Sequence, residues 1–312
     1  MPENDVFREY IQSMNRDVIV RPAVTDDAKA FINLMNRHFR RQKTDAYFFW
    51  QFIDNPCPAR LYLAWHQNTL AGCFGVMIRQ LNRGVPCGFT VDLVVDYPFR
   101  NQGLPFLLEE SAADFANRYK AVALIALPNE TGCKALVRMP DWKCLGAVPT
   151  LELDKPPSSV CPCKVNSALS QAEQIKFMSD ETYREWRFNH NPFYRYERIV
   201  LDSSTYSVTK LFTDPAARRK IGDIVDFSCD SENSLRLQEL FRMSVQRLQG
   251  YEIKQITTWA LPHTVIYQNV LALGFRASFQ TRYFCAKILN SSFAELDQFD
   301  RWHLVQADSE VY

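Results

Sequence analysis

The sequence contains an internal repeat. Three short segments of residues 50–128 recur in the same order in residues 186–262, displaced by 134 to 136 positions. The matched pairs are WQFIDNP (50–56) with WRFNHNP (186–192), VDLVVD (91–96) with VDFSCD (225–230), and ALP (126–128) with ALP (260–262). Because chance does not readily produce three collinear matches at a nearly constant offset, we infer a duplicated domain.

A proline-rich segment separates the two copies. Residues 154–163 contain three prolines, which neither helices nor central strands accommodate, so we expect a linker there. A chain of 312 residues is long enough for two domains of ordinary size. We therefore divide it into an N-terminal helical extension (1–17), a first domain (18–153), a linker (154–164), a second domain (165–290) and a C-terminal tail (291–312).

Hydrophobic periodicity predicts an α/β fold in each half, with a mixed central sheet flanked by helices. In the first half it predicts strands at 17–21, 61–65, 72–79, 89–95 and 121–127. Helices are predicted at 104–118 and 131–138, and a further helix is capped by Thr25. In the second half it predicts strands at 207–212, 221–229 and 255–261, and helices at 234–248 and 265–273.

Charge and hydropathy exclude several classes of partner. The 36 basic and 35 acidic residues leave a net charge of +1, so nothing favours nucleic acid or an anionic membrane. The longest apolar run, residues 121–127, is far shorter than the roughly 20 residues that span a bilayer. The first residues lack the apolar core of a signal peptide, so we expect a cytoplasmic protein.

The nine cysteines predict neither a disulfide framework nor a metal site. Their number is odd, and most should be reduced thiols. Cys161 and Cys163 form the only close pair, and they lack the two-residue spacer of a zinc or redox motif. We therefore expect no metal.

The segment with chemical meaning is a strand, a loop and a helix at residues 92–108. The loop contains Arg100 and Gly103, and Pro105 suits the first helical position. Unpaired amides and the positive dipole end at a helix N-terminus suit a phosphate group, and glycine lets the backbone approach it closely. These residues therefore predict a pyrophosphate cradle.

This segment resembles the acetyl-CoA-binding motif of the GNAT N-acetyltransferase superfamily, in which a strand precedes Arg/Gln-x-x-Gly-x-Gly/Ala. Residues 18–27 and 126–129 are also similar to that family, and the resemblance spans about residues 18–150. It implies that acetyl-CoA lies along the main chain of Leu93, Val94 and Val95. It further implies a pyrophosphate at Asn101, Gln102, Gly103 and Leu104, with Asn129 near the acyl end. Pro105 departs from the motif and removes one amide donor.

The catalytic groups are less evident. The family often uses a tyrosine on the last helix as general acid, but Val137 stands at that position. Asp92 is a candidate general base. However, it recurs as Asp226 in the second half, where Leu237 and His263 replace Gly103 and Asn129, and a residue retained where the phosphate loop is lost favours a structural role. The second half should therefore keep the fold without binding CoA.

Three functions remain open on this basis. The first is an acetyl-CoA-dependent N-acetyltransferase acting on a small-molecule amine, of the amino sugar or amino acid type. The second is a non-catalytic CoA-binding or scaffold module. The third is a tandem aminoacyltransferase that needs no CoA loop.

Overall fold

The protein is built on one continuous mixed sheet of eleven strands, against which the helices pack. The computed structural model describes residue 13 and residues 17–82, 84–154, 174–214, 219–229 and 233–309. The strands are β1 (Val18–Pro22), β2 (Ala59–His66), β3 (Thr69–Gln80), β4 (Pro86–Val95), β5 (Ala123–Ala126), β6 (Lys143–Leu153), β7 (Tyr196–Val200), β8 (Tyr206–Asp214), β9 (Arg219–Ser228), β10 (Gln255–Trp259) and β11 (Arg276–Ile288). The α/β prediction is confirmed.

The helices alternate with these strands. They are α1 (Ala28–His38), α2 (Asp45–Phe48), α3 (Leu104–Arg118), α4 (Glu130–Leu136), α5 (Glu181–Arg184), α6 (Ser234–Gln249) and α7 (Val265–Ala272). A π-helical turn continues α2 at Phe49–Ile53, and another continues α5 at Glu185–Asn189. None of the helices in the described ranges is both long and apolar enough to cross a membrane.

The two halves exchange their last strands. The order across the sheet is β1-β2-β3-β4-β5-β11-β6-β10-β9-β8-β7. Strand β11 pairs antiparallel with β5 of the first half, and β6 pairs antiparallel with β10 of the second half. The two exchanged strands also pair with each other, so a local two-fold axis passes between β11 and β6.

Sequence periodicity missed β6, β7 and β11, and therefore missed this exchange. The predicted boundaries 18–153 and 165–290 remain predictions, although each sequence half contributes a strand to the other side of the axis. Most of the predicted extension 1–17 and linker 154–164 lies outside the described residues, as do Cys161, Cys163 and Asp230.

Packing couples the halves as firmly as the sheet does. One core cluster contains Trp50 and Phe89 from the first half together with Trp186, Trp259 and Phe284 from the second. Two further clusters lie on either side, one around α3 and one around α6. Burial of this kind of apolar surface supplies most of the folding free energy.

Two predicted helix starts need correction. Thr25 does not cap α1. Instead, Val24 precedes a 3₁₀ turn whose Asp27 accepts the Val24 amide at 2.8 Å and pairs with Arg21 at 2.7 Å. Pro105 is the second residue of α3 rather than the first, because Gly103 occupies the cap position. The second position also lacks an intrahelical partner for its amide, so proline is tolerated there.

Candidate functional site

Strands β4 and β5 separate partway along their length. They pair in parallel at only two positions, Gly88 with Leu124 and Phe89 with Ile125. Beyond Phe89, β4 remains paired with β3, whereas β5 continues beside β11. The edge of β4 at residues 91–95 therefore faces a gap rather than another strand, and its backbone can pair with an extended ligand.

A β-bulge turns the end of β4 at Asp92. The register with β3 shifts between Val91 and Val94, and Asp92 has a positive φ of 53°. A bulge re-aims the side chain it carries. Here the Asp92 carboxylate accepts a hydrogen bond from the Tyr47 hydroxyl (2.7 Å) and forms an ion pair with Lys43 Nζ (3.0 Å).

Sequence reasoning missed Tyr47 and Lys43. It sought the phenol near the last helix of the first half, where Val137 is largely exposed, and the structure supplies one from α2 instead. A signal was available, since Tyr47 recurs as Tyr183 at the same 136-residue offset as Trp50 and Trp186.

The predicted phosphate loop contains two residues in the left-handed conformation before α3. Gly103 adopts φ +74° as the cap of α3, and Asn101 is also left-handed at φ 62°. The amides of Asn101, Gly103 and Leu104 have no hydrogen-bond acceptor among the described residues, so they remain free for a ligand. Arg100 is held beside the loop by its own bond to the Val95 carbonyl (3.1 Å).

A cavity of about 320 Å³ opens at the other end of the gap. It is lined by Asp92, Leu93 and Asn129 of the predicted site, but the loop at 100–105 lies outside it. The remaining polar or aromatic lining comes from both halves: Phe39, Arg41, Gln42, Lys43, Tyr47, Trp50, Phe74, Thr90, Asn191, Phe193, Tyr194 and Arg282. The predicted residues thus form two regions joined by the edge of β4.

Asn129 has a structural task at this cavity. It is the N-cap of α4, and its side-chain oxygen accepts the Gly132 amide at 2.8 Å. Asn129 lines the cavity, but its oxygen is already engaged, and its place near the acyl end stays a prediction.

The repeated WxFxxNP motif builds both the interface and the cavity wall. Trp50 stacks on Trp186 and also lines the cavity. Asn191 turns the chain after the motif, because its side-chain oxygen accepts the amides of Phe193 and Tyr194 at 3.0 and 3.1 Å. This turn presents Phe193 and Tyr194 to the first half's cavity.

The second half carries a counterpart cavity of about 360 Å³ that includes Tyr183 and Asp226. It is more polar, and Arg79, Arg184 and Arg198 contribute to its wall. Burial and the neighbouring Asp308 carboxylate raise the pKa of Asp226 from 3.8 to about 6.

The second half has different residues at the positions of Gly103 and Asn129, and both contact other parts of the fold. Leu237 is buried in the core. His263 contacts the Trp302 carbonyl at 3.0 Å, and Gln306 of the C-terminal segment donates to Thr257 of β10 at 2.9 Å. Leu237 and His263, which stand at the positions of Gly103 and Asn129, are thus both engaged in contacts within the fold.

Three cysteines that the sequence leaves far apart come together. Cys133, Cys144 and Cys285 place their sulfur atoms within 4.8 Å of one another. Sequence reasoning did not anticipate this meeting, which arises because strand exchange brings β11 beside β5 and β6.

No family model matches the sequence, and no curated protein matches it. Solved structures do match. A GCN5-related N-acetyltransferase from Anabaena variabilis gives a TM-score of 0.63 at 10% identity, covering 88% of this chain and 73% of that one. The N-myristoyltransferase of Saccharomyces cerevisiae, solved with myristoyl-CoA, gives 0.59 at 10% identity, covering 87% and 82%.

A tandem GNAT protein from the clavulanic acid biosynthesis pathway gives a TM-score of 0.56 at 13% identity, covering 87% of this chain and 98% of that one. These matches extend over both halves. The resemblance to the GNAT fold is therefore confirmed, and this chain has that fold in tandem.

Proposed function

We propose that this protein is an acyl-CoA-dependent N-acyltransferase that transfers an acetyl group from acetyl-CoA to a primary amine of a small molecule. The observation that carries the proposal is the gap between β4 and β5, which joins an anion-suited loop to a cavity of about 320 Å³. Acyltransferases among the structures that share the fold support acyl transfer, and the bound myristoyl-CoA in one of them supports a CoA thioester as donor.

Two chemically distinct parts of the donor, acetyl-CoA, match two regions of the first half. Its pyrophosphate suits the free amides at Asn101, Gly103 and Leu104 and the guanidinium of Arg100. Its pantetheine arm carries amide groups that can pair with the edge of β4 that faces the gap at 93–95, where the Val95 carbonyl already accepts from Arg100. The thioester then reaches the cavity beside Leu93 and Asn129.

The acceptor fits the cavity between the halves. The Asp92 carboxylate can receive a substrate ammonium, while Arg41 and Arg282 can face an anionic group. Trp50 and Phe193 offer apolar surface between them. Carboxylate and ammonium on one small molecule satisfy this lining, so we favour an amino acid type of acceptor over an amino sugar.

The reaction needs one proton acceptor and one proton donor. The amine attacks the thioester carbon, a C–N bond forms, the C–S bond breaks, the amine loses a proton and the CoA sulfur gains one. In this proposal Asp92 takes the proton from the amine, and Lys43 and Tyr47 hold its carboxylate in place. Holding both substrates in one gap supplies much of the rate enhancement.

Thiol release from acetyl-CoA in the presence of amine pools tests the proposal. We expect turnover above the hydrolysis background with amino acid amines, and one acetyl-CoA bound per chain by calorimetry. Binding without turnover would favour a non-catalytic CoA-binding module. Absence of acetyl-CoA binding would contradict the proposal, and myristoyl-CoA in a parallel titration shows whether the cavity prefers a longer acyl chain.

A further inference from the structure

Three thiols lie close together where the exchanged strands β6 and β11 pair with each other. Cys133 lies on α4, Cys144 on β6 and Cys285 on β11, and the latter two are direct cross-strand partners. Their sulfur atoms all lie within 4.8 Å of one another, and those of Cys133 and Cys285 are 3.6 Å apart. Cys133 and Cys285 are buried, whereas Cys144 is exposed at the rim.

The spacing suits a shared metal ion. Zinc–thiolate bonds of about 2.3 Å in a tetrahedral site place neighbouring sulfurs roughly 3.8 Å apart. The observed separations reach this value with shifts of about 1 Å or less, which side-chain rotation supplies. A set made only of thiols selects soft, thiophilic ions over magnesium or calcium.

The surrounding charges favour a divalent ion. The nearest lysines along the chain are already paired: Lys134 with Glu130 (2.6 Å), Lys143 with Asp297 (2.9 Å) and Lys287 with Glu109 (3.0 Å). They have little charge left to offset thiolates. Three thiolates leave a net charge of −1 with a divalent ion and −2 with a monovalent ion, and the second is costlier to bury.

We propose that Cys133, Cys144 and Cys285 bind one divalent thiophilic cation of the zinc class. Three S–H groups lose their protons, three sulfur–metal bonds form and no atom changes oxidation state. The exposed rim at Cys144 gives the ion its entry path and leaves a fourth position for water. Bound there, the ion ties α4 to both exchanged strands and so stabilises the junction between the halves.

Cadmium titration of the full-length, reduced, metal-free protein tests this site directly. Cadmium–thiolate bonds absorb in the ultraviolet, so we expect an absorbance that saturates at one equivalent per chain and decreases when zinc competes. The protein used for this measurement carries Cys161→Ser and Cys163→Ser, so that these two cysteines, which are close to each other in sequence, cannot bind cadmium. Bound zinc should also raise the Tm of that protein.

Cys144→Ser is the decisive variant, because an exposed position tolerates the change without loss of folding. We expect it to weaken cadmium binding by about tenfold or more, since altering even an outer contact of a metal site costs that much. Cys229→Ser, at a buried thiol in the second half, is the matched control and should leave affinity unchanged. Cys133→Ala should match Cys144→Ser if folding is retained.

Several results would overturn the proposal. They are an absent thiolate absorbance, a titration unaffected by Cys144→Ser, or equal weakening by Cys229→Ser. A thiol count two short in the untreated protein, with Cys133 and Cys285 recovered as one disulfide-linked peptide pair, would show that the cluster is a disulfide site instead.

Discussion

Trp50 and Trp186 stack face to face, with ring centroids 4.6 Å apart and an interplanar angle of 11°. Each indole N–H donates to the backbone carbonyl of the other tryptophan, at 3.1 and 2.9 Å. Since they occupy equivalent positions in the repeat, the local two-fold axis passes between them. The contact is self-complementary in the way that an isologous dimer interface is.

Trp186→Phe should therefore destabilise the protein by about 2–4 kcal/mol, from a lost buried hydrogen bond and a poorer stack. Because Trp50 also lines the cavity, the acceptor KM should rise. Denaturant unfolding and steady-state kinetics measure the two effects. Trp65→Phe is the control, because the Trp65 indole N–H has no acceptor among the described residues. Equal losses in both variants would contradict the special role of the pair.

Gly103→Leu should weaken acetyl-CoA binding by about a hundredfold, through backbone strain at φ +74° and loss of close amide contacts. Gly84→Leu is a matched control, because Gly84 has φ +72° and open space around it. It imposes comparable strain far from the proposed donor site. Calorimetry on both variants separates strain from ligand contact, and a similar loss of affinity in Gly84→Leu would remove the assignment of the loop.

Tyr47→Phe and Asp92→Asn should each lower kcat by at least about tenfold, within the range typical of general acid–base groups. Tyr183→Phe alters the equivalent phenol of the second half and should leave kcat unchanged. Turnover measured by thiol release compares the three variants. If Asp92→Asn keeps full activity, Asp92 has a structural role, as its recurrence at Asp226 allows.

Asp226→Asn should stabilise the protein at pH 7.5 but not at pH 4. The pKa of Asp226 rises to about 6 in the fold, so the fold favours the protonated acid. The resulting stabilisation is fully present below the unfolded-state pKa of 3.8, and it is lost as the pH rises through the folded-state pKa of about 6. The expected gain above pH 6 is about 2–3 kcal/mol. Unfolding curves at both pH values measure it, and a gain that is independent of pH would contradict the assignment.

Residues 17–154 expressed alone should not fold, because β6 then lacks β10 and β5 lacks β11. An open edge of this kind favours aggregation. Co-expression with residues 174–309 should restore a soluble complex, detected by co-purification and circular dichroism. A soluble, cooperatively folded 17–154 fragment would show that the strand exchange is dispensable.

Features that depend on residues close together in the sequence could be predicted. The helix bounds at 104–118 match α3, because Gly103, Pro105 and the apolar periodicity act within a few residues of one another. The repeat predicted the duplication, and the resemblance of residues 18–150 to the GNAT family predicted the fold of each half. Candidate donor contacts at 93–95 and 100–105 followed from the same short segment.

The cavity lined by Asp92 and the thiol cluster depended on contacts between residues far apart in the chain. Tyr47 reaches Asp92 across 45 residues, Phe193 enters the first half's cavity from the second, and Cys133 meets Cys285 across 152 residues. The contact of Cys133 with Cys285 follows from the exchange of β6 and β11. Hydrophobic periodicity specifies which face of a strand is buried, but not which strand lies beside it. The sequence thus determined the repeated unit and the glycine-containing loop that begins α3, and the tertiary structure decided which side chains share a cavity.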